Sequence, residues 1–240
     1  MLKTKVESVQ LKKVFSEDLF LTINDIRKYS GCRINKDGLK FSKGETKEEV
    51  FLYDVISYIR NRQKSFSKKK FGSCNELFRQ FKPKTLSSWK KIYFRKYEDN
   101  FEKSINEVND FLALEYNILY ELKSNSKQKK EKSKKWVKSY AESVLNNTYR
   151  GLAIQRAVFV FLSKKYKLKY QESSDKEDSG QIDGYLDGIP FGVKPGSNRN
   201  SLDYGRRKNI SRIIYNICKN KDGISISIPK CAPFLNKSEK

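Results

Sequence analysis

The feature that most constrains this chain is a stretch of fourteen residues toward its C-terminal end, Gln181-Ile182-Asp183-Gly184-Tyr185-Leu186-Asp187-Gly188-Ile189-Pro190-Phe191-Gly192-Val193-Lys194. Asp187-Gly188 separates two apolar-rich runs and is a preferred dipeptide of two-residue hairpin turns, where both central residues need φ > 0. Such a turn sets the register. With Leu186 opposite Ile189, the predicted pairs are Gly184 with Phe191, Asp183 with Gly192, Ile182 with Val193 and Gln181 with Lys194. Period-two alternation then gathers Ile182, Leu186, Ile189, Phe191 and Val193 on a core face. The other face receives Gln181, Asp183, Tyr185 and Lys194, so an acid and an amine become diagonal neighbours. They are either a solvated ion pair on an ordinary hairpin or a pair set up for chemistry.

The rest of the chain narrows the chemistry. With 240 residues, 37% of them hydrophobic, it has room for one large domain or two small ones, each with a core. Its 51 basic against 28 acidic residues leave a net charge of +23, which points to a polyanionic partner, nucleic acid first. A Lys-rich coding bias is the alternative source of that charge. Histidine is absent, which removes Ser/His/Asp and Cys/His nucleophile systems, a histidine general base and histidine-containing zinc sites. The four cysteines, Cys32, Cys74, Cys218 and Cys231, form no Cys-x-x-Cys pair and read as free thiols of a reducing compartment. MLKTKVESVQLKK has no apolar signal-peptide core and no run is long enough to cross a bilayer. The expectation is a soluble, cytoplasmic protein with no membrane partner.

The first two thirds read as mostly helical. Thr46-Lys47-Glu48-Glu49 is a capping box before Val50, Val55, Ile56 and Ile59, and Asn100 to Leu122 is periodic through Ile105, Val108, Phe111, Leu112, Tyr116 and Leu119. From Phe71 to Tyr97 aromatics alternate with basic residues. The basic residues suit DNA phosphates; Phe78, Phe81, Trp89, Ile92, Tyr93 and Phe94 equally suit a core that the lysines solvate. Lys68-Lys69-Lys70 and Ser124 to Lys135 are charge runs, the second an exposed linker or phosphate-contacting loop. A helix from Trp136 to Leu145, a break at Asn146 to Gly151 and an apolar helix from Leu152 to Lys164 follow. Then come a short strand near Leu168 to Gln171, an acidic loop, the hairpin, a helix over roughly Leu202 to Asn220, and a last strand at Ile224 to Ile228 stopped by Pro229. That order implies a mixed α/β sheet with flanking helices.

Phosphodiester hydrolysis needs a metal ion to polarise the phosphate and acidify a water, with a positive group near the developing charge. Asp183 can hold a hard, oxygen-liganded ion such as Mg²⁺, the Val193 carbonyl can add a ligand, and Lys194 can orient the water or stabilise the transition state. A helix, an Asp-bearing strand, a two-residue turn and an x-x-Lys strand together resemble the PD-(D/E)xK nucleases, the superfamily of most type II restriction endonucleases. Thr148-Tyr149-Arg150-Gly151-Leu152, Ser179-Gly180-Gln181-Ile182-Asp183-Gly184-Tyr185 and Val193-Lys194-Pro195 are similar, more closely, to the MjaI-like restriction enzymes, whose best-known member cuts CTAG. The similarity covers roughly residues 136 to 228.

That resemblance implies a restriction-endonuclease-like α/β core over 136–240, a basic linker or loop at 124–135 and a helical DNA-binding or dimerisation region over 1–123. It makes Asp183 the metal ligand and Lys194 the catalytic lysine. The superfamily's helical acid falls on Gln155, which offers a neutral amide oxygen or helix packing. The second carboxylate falls on Gly192, which has none. Relatives with a small residue there recruit an acid from elsewhere; Glu142, Glu172, Glu177, Asp178 and Asp203 are the candidates. Lys68, Lys69, Lys70 and Arg150 are the candidate DNA contacts before the hairpin; Ser197, Asn198, Arg199, Asn200, Arg206 and Arg207 follow it, Arg being suited to guanine and Asn to adenine. The implied activity is Mg²⁺-dependent cleavage of double-stranded DNA at a short palindrome, CTAG by resemblance, by a homodimer. A cognate DNA methyltransferase would be a functional partner, not a physical one. The competing readings are an inactive DNA-binding protein on a nuclease fold, supported by Gly192 and Gln155, and a structure-specific or RNA nuclease.

Overall fold

The computed structural model describes residues 15–35, 39, 53–59, 66–119, 126–174, 177, 182–196, 210–218, 221–229 and 232. Among them the elements run β1 (Phe15–Thr22), α1 (Ile23–Ser30), α2 (Lys68–Phe71), α3 (Cys74–Phe81), α4 (Leu86–Leu119), α5 (Ser126–Lys165), β2 (Tyr170–Glu172), β3 (Gly184–Leu186), β4 (Ile189–Pro195), β5 (Ser211–Ile217) and β6 (Gly223–Pro229). Residues 53–59 are also helical, with Ile56 and Ile59 buried; the capping box before them lies outside the described residues. The chain divides into two compact units, one of residues 1–40 with 151–240 and one of residues 41–150.

The first unit holds one mixed six-stranded sheet in the order β1-β6-β5-β4-β3-β2. Neighbours are antiparallel except β4 and β5, which run parallel. Asp187 and Gly188 take φ of 50° and 78°, as the turn chemistry requires, and Gly184, Tyr185 and Leu186 pair with Phe191, Pro190 and Ile189 as predicted. Asp187 also ties the turn to the corner before β2: its Oδ1 accepts the Lys169 N–H at 2.7 Å and its own N–H donates to the Lys169 carbonyl at 2.9 Å. Behind the hairpin, Ala153, Ile154, Ala157, Val158 and Leu162 of α5 are buried, the stripe expected of that segment. The rings of Phe159 and Tyr170 stack with centroids 5.1 Å apart, and a Cβ on Gly184 would lie 3.0–3.1 Å from them. Glycine is therefore what lets β3 run against this pair. In β6, Ile224, Ile226 and Ile228 are fully buried, as the alternation predicts.

Four local expectations are corrected. Residues 211–217 are strand β5, not the second half of a helix over 202–220; residues 202–209 lie outside the described residues. Arg212, Ile213, Ile214 and Tyr215 are all buried, so this central strand has no polar alternation, and a short apolar run of that kind looks the same in a buried helix. Residues 15–22 form strand β1, paired with β6, inside a region read as helical. The break predicted at Asn146 to Gly151 is absent, because α5 is continuous through it. There Thr148 Oγ1 donates to the Val144 carbonyl, Arg150 to Asn147 Oδ1, and Leu145 and Tyr149 are buried, so tertiary packing overrides weak local propensity. The charge run read as a linker or loop is likewise helical from Ser126 onward.

In the second unit the aromatics form the core. Phe71, Phe78, Trp89, Tyr93 and Phe101 are buried, while Phe81 is half exposed. The Tyr93 hydroxyl donates to the Phe71 carbonyl at 2.6 Å and the Trp89 indole N–H to the Leu145 carbonyl at 3.3 Å, so the polar atoms buried with these rings are satisfied. The described cysteines, Cys32, Cys74 and Cys218, are free, and desolvation pushes the Cys74 thiol up to about 12.

The β1–β6 seam gives a test of the sheet. A Cβ on Gly223 would lie 2.1 Å from the Leu21 backbone carbonyl, which moves only if the ladder opens. Gly223→Ala is expected to destabilise the protein by about 1–3 kcal/mol, read as a lowered denaturant midpoint. An unchanged midpoint would refute this seam.

Candidate active site

The polar end of the hairpin is built where β3 stops. The predicted ladder continued through Asp183 and Gly192; the observed one ends at Gly184. The Asp183 N–H donates at 2.9 Å to the Phe191 carbonyl, on the residue already opposite Gly184, which takes Asp183 out of register with Gly192. A strand residue presents its N–H and C=O to the same edge, so Val193 meets no further β3 backbone there. Side chains take both groups. The Val193 N–H donates to Asp183 Oδ2 at 2.7 Å, and the Gln155 side-chain amide, from α5, donates to the Val193 carbonyl at 3.3 Å. Lys194 Nζ lies 3.1 Å from Asp183 Oδ1 and 3.0 Å from Oδ2. The structure thus brings together Asp183, Lys194, Gln155 and the Val193 carbonyl.

The Asp183 side chain is 3% exposed and that of Lys194 is 18%. A carboxylate this deep is tolerated only with its charge opposed and its oxygens hydrogen-bonded, and both conditions hold. Gly192, the position without a carboxylate, has Arg212 of β5 as its register partner. Arg212 was missed because residues 202–220 read as a helix; the strand pairing supplies its position.

The candidate replacement acids are placed as follows. Glu142 Oε2 is 3.3 Å from Lys90 in the helical unit. Glu172 pairs with Gly184 across the β2–β3 ladder, and its Oε1 lies 4.0 Å from Arg156 Nε. Glu177 accepts the Ser174 N–H at 2.6 Å and the Tyr185 hydroxyl at 2.5 Å. Asp178 and Asp203 lie outside the described residues. No group of three or more His, Cys, Asp or Glu side chains able to hold a metal occurs among the described residues.

Among the candidate DNA contacts, Lys70 forms an ion pair with Glu107, and Arg150 donates to Asn147 Oδ1 within α5. Lys68 and Lys69 belong to α2, their side chains outside the described set; Ser197, Asn198, Arg199, Asn200, Arg206 and Arg207 lie outside it entirely. A concavity of about 710 Å³ runs instead along α4, lined by Leu86, Lys90, Lys91, Phe94, Arg95 and Glu98 among others. It presents three cations and one acid, Lys90, Lys91, Arg95 and Glu98. No helix among the described residues is long and apolar enough to cross a membrane.

Comparison with known proteins bears on what this site does. The family model for the MjaI restriction endonuclease matches residues 53–228, which takes in the hairpin and also much of the helical unit. A curated relative, the type II restriction enzyme MthZI of Methanothermobacter thermautotrophicus, is 25% identical over 187 residues, 77% of this chain and 88% of that protein. The type II restriction enzyme MjaI of Methanocaldococcus jannaschii is 28% identical over 119 residues, 48% of this chain and 49% of that protein. No solved structure matches the chain.

Two outcomes follow from the geometry. Lys194→Met leaves the Asp183 carboxylate buried beside an apolar chain, and is expected to cost stability at the lower end of about 3–5 kcal/mol, since Lys194 keeps some exposure. Adding Asp183→Asn to it should restore most of the loss in chemical denaturation; no recovery would mean the pair is not coupled. At the Tyr185–Glu177 contact, Ser174 first and Tyr185 second hold the Glu177 carboxyl at about 2 against an ordinary 4.5. These bonds favour the ionised acid, so the contact is complete above 4.5 and is lost as pH falls through about 2. The same contact raises the Tyr185 phenol above its ordinary 10.0. Glu177→Gln should bring that ionisation back toward 10.0, read by ultraviolet difference titration with Tyr185→Phe as the blank.

Proposed function

This chain belongs to the MjaI restriction endonuclease family and is a site-specific deoxyribonuclease, and from that premise we propose that it cuts double-stranded DNA with Mg²⁺ through Asp183 and Lys194. The observation that carries the reading is the meeting of Asp183, Lys194, Gln155 and the Val193 carbonyl at the end of β3. The mixed sheet with its parallel β4–β5 pair and the α5 helix behind the hairpin supports a PD-(D/E)xK-type core.

The donor set suits a hard cation. Mg²⁺ takes oxygen ligands, needs only one or two carboxylates and completes its shell with water and substrate phosphate. Asp183 and the Val193 carbonyl would hold it, with the Gln155 amide at the same carbonyl. When bound, it supplies polarisation of the phosphate and acidification of a water. Lys194 is held by Asp183 at the spot where charge develops, so its ammonium is oriented before the substrate arrives. Asp183, by accepting the Val193 N–H, fixes the strand edge from which Lys194 extends. With no histidine in the chain, no imidazole serves as general base.

The finer reading is a short palindromic site, CTAG by resemblance, cut by a homodimer whose two-fold axis matches that of the DNA. It pairs the enzyme with a cognate methyltransferase. The helical region clamps DNA, forms the dimer contact, or does both. The second reading, a catalytically weak or inactive DNA-binding protein, is favoured by Gly192 and by the absence of a metal-binding acid cluster among the described residues.

Plasmid DNA incubated with purified protein and Mg²⁺ should give discrete bands, and Asp183→Ala or Lys194→Ala should lower the single-turnover rate by about 100-fold or more. Binding without metal-dependent cleavage would replace this reading with the second.

A further inference from the structure

We propose that Arg212 is a second phosphate-binding cation of this active site, contacting the substrate over the gap left by Gly192. The inference rests on the cleavage reading above and adds a residue that this reading does not use. Register partners in a ladder carry their side chains on the same face, and β4 pairs with β5 as Gly192 with Arg212 and Lys194 with Ile214. Arg212 therefore shares its face with Lys194, two residues further along the adjacent strand. Neighbouring strands are about 4.8 Å apart, well within the reach of an arginine side chain. Gly192, the register partner of Arg212, contributes no side chain to that face.

The burial and chemistry of Arg212 fit such a role. It is 6% exposed on a strand whose other buried residues are Ile213, Ile214 and Tyr215, and a buried charge is costly unless it is paired and hydrogen-bonded. Arg212 already takes part in an interaction within the chain. Five donors leave it capacity for a further partner, and the planar fork matches two oxygens of a phosphodiester. With Lys194 it gives that face two cations around a single described carboxylate, Asp183, whose oxygens already take Lys194 and the Val193 N–H. A site of that sign draws in and holds an anion. Arg212 adds positive charge on the face where the superfamily pattern would place a second carboxylate.

The test uses the full-length protein and a duplex oligonucleotide carrying the cut site mapped with wild-type enzyme. Phosphates around the scissile bond are replaced one at a time by uncharged methylphosphonates. Arg212→Gln is expected to slow single-turnover cleavage by about 100-fold, and Arg212→Lys by less, since the charge remains and the fork is lost. At one phosphate, the methylphosphonate should slow the wild type but add little to the loss in Arg212→Gln; at the others the losses should multiply. Multiplying losses at every phosphate, or wild-type cleavage by Arg212→Gln, would overturn the proposal and leave a packing role. If Arg212→Gln fails to fold by circular dichroism, Arg212→Lys carries the same comparison with a smaller coupling. Cleavage that depends on Asp183 and Lys194 but not on Arg212 sinks this proposal alone. No metal-dependent cleavage by wild type sinks it together with the reading it rests on.

Discussion

The structure of the site depends on β3 ending one residue short of Asp183. Had the ladder continued, Val193 would pair with backbone, and Asp183 would be a side chain standing on a sheet face. Because the ladder ends, Val193 offers a bare N–H and a bare C=O at one edge, and each must be satisfied. The carboxylate takes one and the Gln155 amide takes the other. The ion pair to Lys194 is anchored through the backbone as well as through charge. This explains how an acid can sit with its side chain 3% exposed at the end of β3.

Local chemistry made much of this legible in the sequence. The Asp187-Gly188 turn carries its own backbone requirement, so the hairpin, its register as far as Gly184–Phe191 and the proximity of Asp183 to Lys194 followed from it, whereas the predicted pairs Asp183–Gly192 and Ile182–Val193 did not form. Strict alternation identified β6, and a broad apolar stripe identified the second half of α5. Tertiary context hid the rest. β5 is buried on both faces and loses its period of two; β1 gains its identity only by pairing with β6, some two hundred residues later in the chain. The Asn146 to Gly151 segment is helical because its neighbours bury it, against its own propensity. Arg212 was invisible for the same reason as β5: its relation to Gly192 exists only once a parallel pair is formed.

Two absences in the sequence acquire different meanings in the fold. Lack of histidine limits the available proton-transfer groups to carboxylates, amines, phenols, thiols and water, and the end of β3 presents one of each of the first two, Asp183 and Lys194. Lack of a side chain at Gly192 leaves room on a face that also carries Lys194 and Arg212. On that face Lys194 is paired with Asp183, and Arg212 lies opposite Gly192 in the parallel β4–β5 pair.

The turn at Asp187 has one more consequence. The hairpin is fastened at its far end by two hydrogen bonds to Lys169, whereas its near end is held by Asp183 itself. It resembles a beam clamped at one support, with the Asp183 carboxylate at the other. Gly-Gly would satisfy the turn's backbone angles equally well and would release that clamp. Asp187 thus does duty as both bend and anchor, and the placing of Asp183 is set partly by a residue at the opposite end of the hairpin.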